Sequence, residues 1–281
     1  MPEISVLMGI YNENRRYAAL AIDSVLEQTF TDFEFFICDD GSDPAFYKWL
    51  KGYCRKDQRI RLMRQKKNRG LASALNRCFR CASGKFIARM DADDISVCTR
   101  FEKQAAFLNR HQEYALAGCN VYLIDGCKVW GERRLEEVPG KRSFLYTSAF
   151  VHPAVMIRRE VMEALFGYRE HARYLRVEDY DFFMRMYGAG YVGYNLQEPL
   201  LFYREEIRGK HKYRYRVNEC RVRLNGFRDL GILRGNLRYV VKPLAVGLLP
   251  DRVIRKIHVK KYADRHSVFQ KIQIKSGSEM L

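Results

Sequence analysis

Three groups of carboxylates in this 281-residue chain stand where apolar runs end: Asp39-Asp40, Asp91-Ala92-Asp93-Asp94 and Glu178-Asp179. Carboxylates collected in one place repel one another, and a bound divalent cation relieves that repulsion. Mg²⁺ or Mn²⁺ held by one or two carboxylates completes its octahedron with water and substrate phosphates, so Asp91-x-Asp93 suggests a metal-bridged diphosphate. An Asp-x-Asp standing alone more often marks a solvated turn and helix cap, and its neighbours must decide. Cys78-Phe79-Arg80-Cys81 is a lone CxxC. Without further ligands at matching spacing it reads as structural, and the eight scattered cysteines read as reduced.

The elements that must hold these clusters read as strands alternating with helices, the signature of a mostly parallel sheet covered by helices. Ile4–Ile10 is a buried-type strand, followed by a helix with Leu20, Ile22, Val25 and Leu26 on one stripe. A second strand at 33–38 runs into Asp39-Asp40-Gly41-Ser42-Asp43, whose turn formers also suit the cap of a helix carrying Tyr47, Trp49 and Leu50. A strand at 60–63, a helix with Leu71, Ala74, Leu75 and Phe79, and the strand Phe86–Met90 deliver the chain to Asp91. Ligands in open α/β sheets bind beyond the carboxyl ends of the strands, so the first two clusters should face one crevice. Later elements are a helix near 100–109, a strand near 115–124, a Gly- and charge-rich stretch around 126–143, a strand at 154–157 and a helical turn at 161–165. A helix at 178–187 then carries Phe182, Phe183 and Met186.

The order Ser5-Val6-Leu7-Met8-Gly9-Ile10-Tyr11-Asn12, Ser24-Val25-Leu26-Glu27-Gln28-Thr29-Phe30, Asp39-Asp40-Gly41-Ser42, Asn68-Arg69-Gly70-Leu71, Gly84-Lys85-Phe86-Ile87-Ala88-Arg89-Met90-Asp91-Ala92-Asp93-Asp94 closely resembles glycosyltransferase family 2. The likeness continues through Arg100-Phe101-Glu102-Lys103-Gln104, His152-Pro153 and Glu178-Asp179-Tyr180-Asp181, and so covers residues 3–205. It implies a GT-A fold, Rossmann-like, with inverting transfer of a sugar from a nucleotide diphosphate donor, usually a UDP-sugar. By the same resemblance Tyr11 lines the nucleotide pocket, Asp39 accepts from the base, and Asp40 assists or caps the turn. Arg69 reaches the base or a phosphate, unless it is simply solvated. Asp91 contacts ribose or metal, Asp93 ligates Mn²⁺ or Mg²⁺, and Asp94 caps the next helix. Glu178-Asp179 resembles the acceptor-side acidic pair, with Asp179 the general base. His152 contacts the diphosphate or pins a loop. Gly9-Ile10 departs from the usual Pro-Thr or Pro-Ser, and Cys98 stands where proline is frequent. The Gln-x-x-Arg-Trp motif of processive members does not appear, which implies addition of a single sugar.

The formal charge of +17 is uneven, since residues 203–281 hold 20 Lys and Arg against 7 Asp and Glu, a net of +13, and the rest carries +4. The expected division is a catalytic domain at 1–203, with a nucleotide-binding part at about 1–95 and an acceptor part at about 96–203, and a basic amphipathic helical tail at 204–281. In the tail, Asp251–Tyr262 sets Val253, Ile254 and Ile257 against Arg252, Arg255, Lys256 and Lys260, a pattern suited to a membrane interface. The run at 240–249 is too short to span a bilayer, and no secretory signal precedes Ile4. Tails of this kind resemble those of family members that extend lipid-linked glycans, which implies peripheral attachment at the cytoplasmic face of a membrane beside a lipid-linked saccharide acceptor; the other reading is a helical extension packed on the catalytic domain or a second subunit. Tyr213, Tyr215, Phe227 and Tyr239 among arginines would also suit a nucleic-acid binder. That alternative leaves the acidic clusters without a role, so no nucleic-acid partner is expected. A degenerate transferase subunit is a third reading, opposed by the presence of both Asp93 and Asp179.

Overall fold

The computed structural model describes residues 1–126, 128–205 and 213–262. Cys127 and the tail segments 206–212 and 263–281 lie outside the described residues. In β1 (Ile4–Ile10) the residues Ile4, Val6, Met8 and Ile10 face one hydrophobic core and Leu7 faces a second, as the period-2 alternation of a strand requires. β1 lies parallel between β2 (Phe33–Asp39) and β4 (Phe86–Met90), and β3 (Ile60–Arg64) adds parallel to β2. Helices α1 (Arg15–Leu26), α2 (Pro44–Tyr53) and α3 (Leu71–Cys81) make the crossovers, α1 and α2 over the first core and α3 over the second.

Beyond β4 the sheet changes character. A two-residue strand β5 (Ile95–Ser96) precedes α4 (Arg100–Arg110), β6 (Leu116–Asp125), β7 (Lys128–Arg133), β8 (Met156–Arg158) and α5 (Arg159–Ala164). Then α6 (Glu178–Gly188) leads to β9 (Gly193–Arg204). The sheet runs β3-β2-β1-β4-β8-β6-β9-β5, with β7 paired to β6. β8 is antiparallel to both neighbours, whereas β6 and β9 are parallel. The fold is α/β with a mostly parallel sheet on the nucleotide-binding side, as the sequence pattern implies. Two strands depart from that pattern. β7 occupies part of the Gly- and charge-rich stretch as a charged edge strand. β9 carries extra residues, Gln197-Glu198 and Leu200, absorbed in register shifts on either side of the Asn120–Pro199 pair.

The C-terminal helices are α7 (Tyr213–Asp229), α8 (Leu237–Gly247) and α9 (Asp251–Tyr262). Packing does not break at residue 203. Arg204 closes β9, and Val222, Phe227, Leu230 and Val240 join Phe182 and Phe183 of α6 in the second core. Arg223 of α7, buried, donates to the carbonyls of Leu145 (3.0 Å) and Tyr239 (3.2 Å). Tyr262 at the end of α9 rests on the first core. Among the described residues no helix is long and apolar enough to cross a membrane.

Candidate active site

β1 and β2 end side by side, with Ile10 opposite Asp39, and their loops are tied together. The Asn12 amide donates to Ser42 Oγ (2.9 Å), and the Asp43 amide donates to Asn12 Oδ1 (2.9 Å). Gly41 sits at φ 77°, and a Cβ there would come within 2.5 Å of the Lys67 carbonyl carbon, so the turn requires glycine. Tyr11 stands half-exposed at the crevice. Asp39 is wholly buried, receives the Ser42 amide at 3.3 Å and pairs with Arg64 Nε at 3.2 Å. Arg64 also donates to Ser42 O (3.0 Å) and lies 4.0 Å over the Tyr47 ring, so it holds the Asp39 carboxylate in place.

Asp40 makes the bonds of a cap. Its two oxygens accept from the amides of Arg69 and Gly70, each at 2.8 Å, and so cap the loop that opens α3. Burial raises its pKa, against the pull of those amides. Of the two roles expected for Asp40, its bonds are those of the cap. Arg69 is left exposed at the same edge of the crevice.

Carboxylate oxygens of Asp91, Asp93 and Asp94 lie within 4.8 Å of one another. Burial first, then repulsion from Asp91 and Glu13, pushes the pKa of Asp93 up to about 7. Asp94 is driven upward by burial and then by Asp93 and Asp91. Asp94 does not cap α4, whose N-cap is Thr99. Its Oδ1 accepts the Arg204 amide at 2.7 Å, and its Oδ2 is buried without a hydrogen-bond partner. The Arg204 side chain completes a staple, donating to Asp93 O (2.8 Å) and Gly126 O (2.6 Å) while covering the Tyr17 ring at 3.7 Å.

Glu178 and Asp179 open α6. Burial and then the neighbouring Asp179 raise Glu178 to about 7, and its Oε2 has no hydrogen-bond partner. Asp179 keeps part of its surface open. Burial raises its pKa, opposed by the Tyr180 amide, by Arg89 and, more weakly, by Arg133. It is not the N-cap of its helix, a place taken by Val177. The nearby Asp181 is structural, paired with Arg185 (2.8 Å) and Arg169 (3.0 Å).

Arg89 of β4 joins the two sides. Its Nη2 meets Asp91 Oδ1 at 2.6 Å, while Nε and Nη1 are buried without hydrogen-bond partners. Its charge reaches Asp91 and Asp94 on one side and Glu178 and Asp179 on the other. His152 is buried, with Nε2 at 2.8 Å from Tyr168 Oη, and burial and then Arg89 push its pKa far down. The bond to Tyr168 ties the His152 loop to the segment that follows α5. The helix α4 has a similar holding role: Arg100 donates to Pro153 O (2.7 Å), and Gln104 donates to Ala117 O (2.8 Å) and Ala154 O (2.7 Å).

This arrangement has known counterparts. The model of "Glycosyl transferase family 2" matches residues 5–166. The putative glycosyltransferase EpsE of Bacillus subtilis is 35% identical over 263 residues, covering 92% of this chain and 94% of EpsE. The chain belongs to glycosyltransferase family 2. The amylovoran biosynthesis glycosyltransferase AmsE of Erwinia amylovora is 26% identical over 268 residues, covering 91% of this chain and 98% of AmsE. Among solved structures, S. aureus TarS 1-349 in complex with UDP superposes with a TM-score of 0.66 at 18% identity, over 92% of this chain and 78% of that one. That likeness establishes the GT-A fold.

Within this family 2 fold, three residues that the sequence motifs did not single out hold the site together. Arg64 aims Asp39, Arg204 staples Asp93-Asp94, and Arg89 spans the two acidic groups. A signal for Arg89 exists in the sequence, because a lone arginine inside Phe86–Met90 must find a buried anion. Arg204 carries no such mark at the start of a basic stretch. The cysteines of the CxxC face apart on α3, Cys78 buried and Cys81 exposed.

Proposed function

We propose that this glycosyltransferase is inverting and metal-dependent, and moves one hexosyl unit from a UDP-sugar to a saccharide on a lipid carrier in surface-glycan synthesis. The observation that carries the reading is the pair of acidic groups, Asp91-Asp93-Asp94 and Glu178-Asp179, set about the buried guanidinium of Arg89. The amylovoran role in the name of AmsE and the UDP held by TarS support the product class and the donor.

The donor-side residues fit a divalent cation. They offer clustered hard oxygen ligands, a buried Asp94 oxygen without a partner and an Asp93 pKa raised to about 7, which is the state a cation would relieve. Asp93 and Asp91 would hold the ion, Mn²⁺ or Mg²⁺. When bound it supplies positive charge against the leaving diphosphate. Tyr11 and Asp39 take the nucleoside, and Arg69 stands at the edge of the same crevice.

On the acceptor side Asp179 takes the proton as the acceptor hydroxyl oxygen bonds to the anomeric carbon from the face opposite the diphosphate. The carbon–oxygen bond to UDP breaks, and its electron pair leaves with UDP. General-base help of this kind is worth about 10²–10⁴-fold. Arg89, tied to Asp91 and close to Asp179, keeps base and donor in register.

The tail helices serve as the membrane contact. Leu237 and Val241 on α8, Leu248 and Leu249 in the turn after it, and Val253 and Ile257 on α9 are exposed beside basic residues, the composition of an interfacial helix. The nucleic-acid reading loses support at α7, where Phe227 is fully buried and unable to stack and Arg223 is buried and spent on the Leu145 and Tyr239 carbonyls. Calorimetric titration with a panel of nucleotide diphosphate sugars and Mn²⁺ tests the donor. Binding to at least one UDP-sugar is expected, and no heat with any member overturns the reading. Replacing Val253 and Ile257 by serine should reduce co-sedimentation with anionic vesicles about tenfold, and unchanged co-sedimentation removes the membrane role.

A further inference from the structure

Between the end of β7, the helical turn at Lys141–Leu145 and the last turn of α9 lies a cleft of about 200 Å³, lined among others by Arg133, Arg134, Ser143, Tyr146, Lys261 and Tyr262. Its charges are unequally committed. Arg134 is paired with Glu132 at 3.1 Å, and the cleft's carboxylate, Glu136, accepts from Ser143 Oγ at 2.5 Å. Arg133 has no ion pair among the described residues, and its charge reaches Asp179. Arg133 thus lines the cleft while its charge is felt at Asp179, the proposed base.

The far wall comes from the tail. Tyr262 is half-buried against the core, and Lys261 Nζ sits 4.8 Å over its ring. Val253, Ile257 and Lys261 follow one another at i, i+4 and i+8, so they form one stripe along α9. The stripe begins with exposed apolar side chains and ends in an ammonium at the cleft. An amphiphile with an apolar chain and an anionic head matches that order.

We infer that this cleft is the subsite for the phosphate of a lipid-linked acceptor, with Arg133 and Lys261 as its ligands and the end of α9 as its closing wall. The inference rests on the transferase reading and adds where the acceptor's phosphate sits. Arginine and lysine together suit phosphate oxygens, one as a fork and the other as a point charge. The tail then has two tasks: one face of α8 and α9 meets the membrane, and the last turn of α9 completes the acceptor site.

Farnesyl phosphate is a suitable probe, titrated into the full chain already saturated with UDP and Mn²⁺ so that the donor site is filled. Arg133→Gln should weaken its binding about 10–100-fold, the loss of one charge-assisted contact, and Lys261→Gln several-fold less. Farnesol should bind at least about tenfold more weakly than the phosphate. UDP affinity within about twofold of wild type shows that each variant is folded. In a second arm with phosphatidylglycerol vesicles, Arg133→Gln should bind as wild type does. Vesicle binding that falls together with farnesyl phosphate binding would assign the cleft to membrane headgroups and overturn the acceptor assignment. If UDP binds normally and both variants take farnesyl phosphate like wild type, the subsite is wrong while the transferase reading stands. If UDP itself fails to bind, both fall.

Discussion

The donor side and the acceptor side of this transferase are built on different length scales. On the donor side Asp39, Asp40 and Gly41 sit in one turn, and their partners Arg64, Arg69 and Gly70 arrive from the next strand and loop of the same parallel unit. The acceptor side joins segments far apart in sequence, Arg223 to Leu145 and Asn76 of α3 to Tyr168, whose hydroxyl holds His152, and on the donor side only the Asp93-Asp94 group, stapled by Arg204, reaches as far. On the proposed reading, a local turn holds the nucleotide, while the acceptor's site is assembled from elements distant in sequence.

Breaking the comparison at its chemical centre should have the largest effect. Asp179→Asn should lower kcat about 10²–10⁴-fold while UDP affinity is unchanged. Lost donor affinity in that variant would mean that the two sides are not separable. On the donor side Asp40→Ala removes the acceptor of two part-buried amides, and should cost about 1–3 kcal/mol in thermal unfolding together with a loss of UDP affinity. Full UDP affinity in a destabilised Asp40→Ala would detach the loop from the donor.

The smallest effect is electrostatic. Glu178 titrates near 7 in the folded protein against an ordinary 4.5, because of burial and then Asp179. The unfolded chain therefore gives up this proton first, and folding stability falls as pH rises from about 4.5 through 7. Glu178→Gln removes that slope and should be more stable than wild type at pH 8 by about 1–3 kcal/mol, with no difference near pH 4. Equal pH profiles for the two proteins would show that Glu178 is not held in a raised state.

The same contrast explains how much was legible in the sequence. Asp39-Asp40-Gly41-Ser42 announces a turn through residue types alone, and strands ending at Asp39 and just before Asp91 follow from apolar runs of strand length. The roles of Asp40, Asp94 and His152 did not follow, because a carboxylate or imidazole at a strand end has the same signature whether it meets a ligand, a backbone amide or a tyrosine. β9 was hidden by Glu198-Pro199, and Arg204 by the basic run after it. The division at residue 203 follows charge, whereas packing follows apolar faces, and α7 buries its own against α6.

The most direct test of the two-sided site is calorimetry with the matching UDP-sugar, with and without Mn²⁺, on wild type and Asp93→Ala. Wild type should bind at least about tenfold more tightly with Mn²⁺, and Asp93→Ala should lose that dependence. Metal-dependent binding that survives intact in Asp93→Ala would contradict the assignment of Asp91, Asp93 and Asp94 as the donor's metal site.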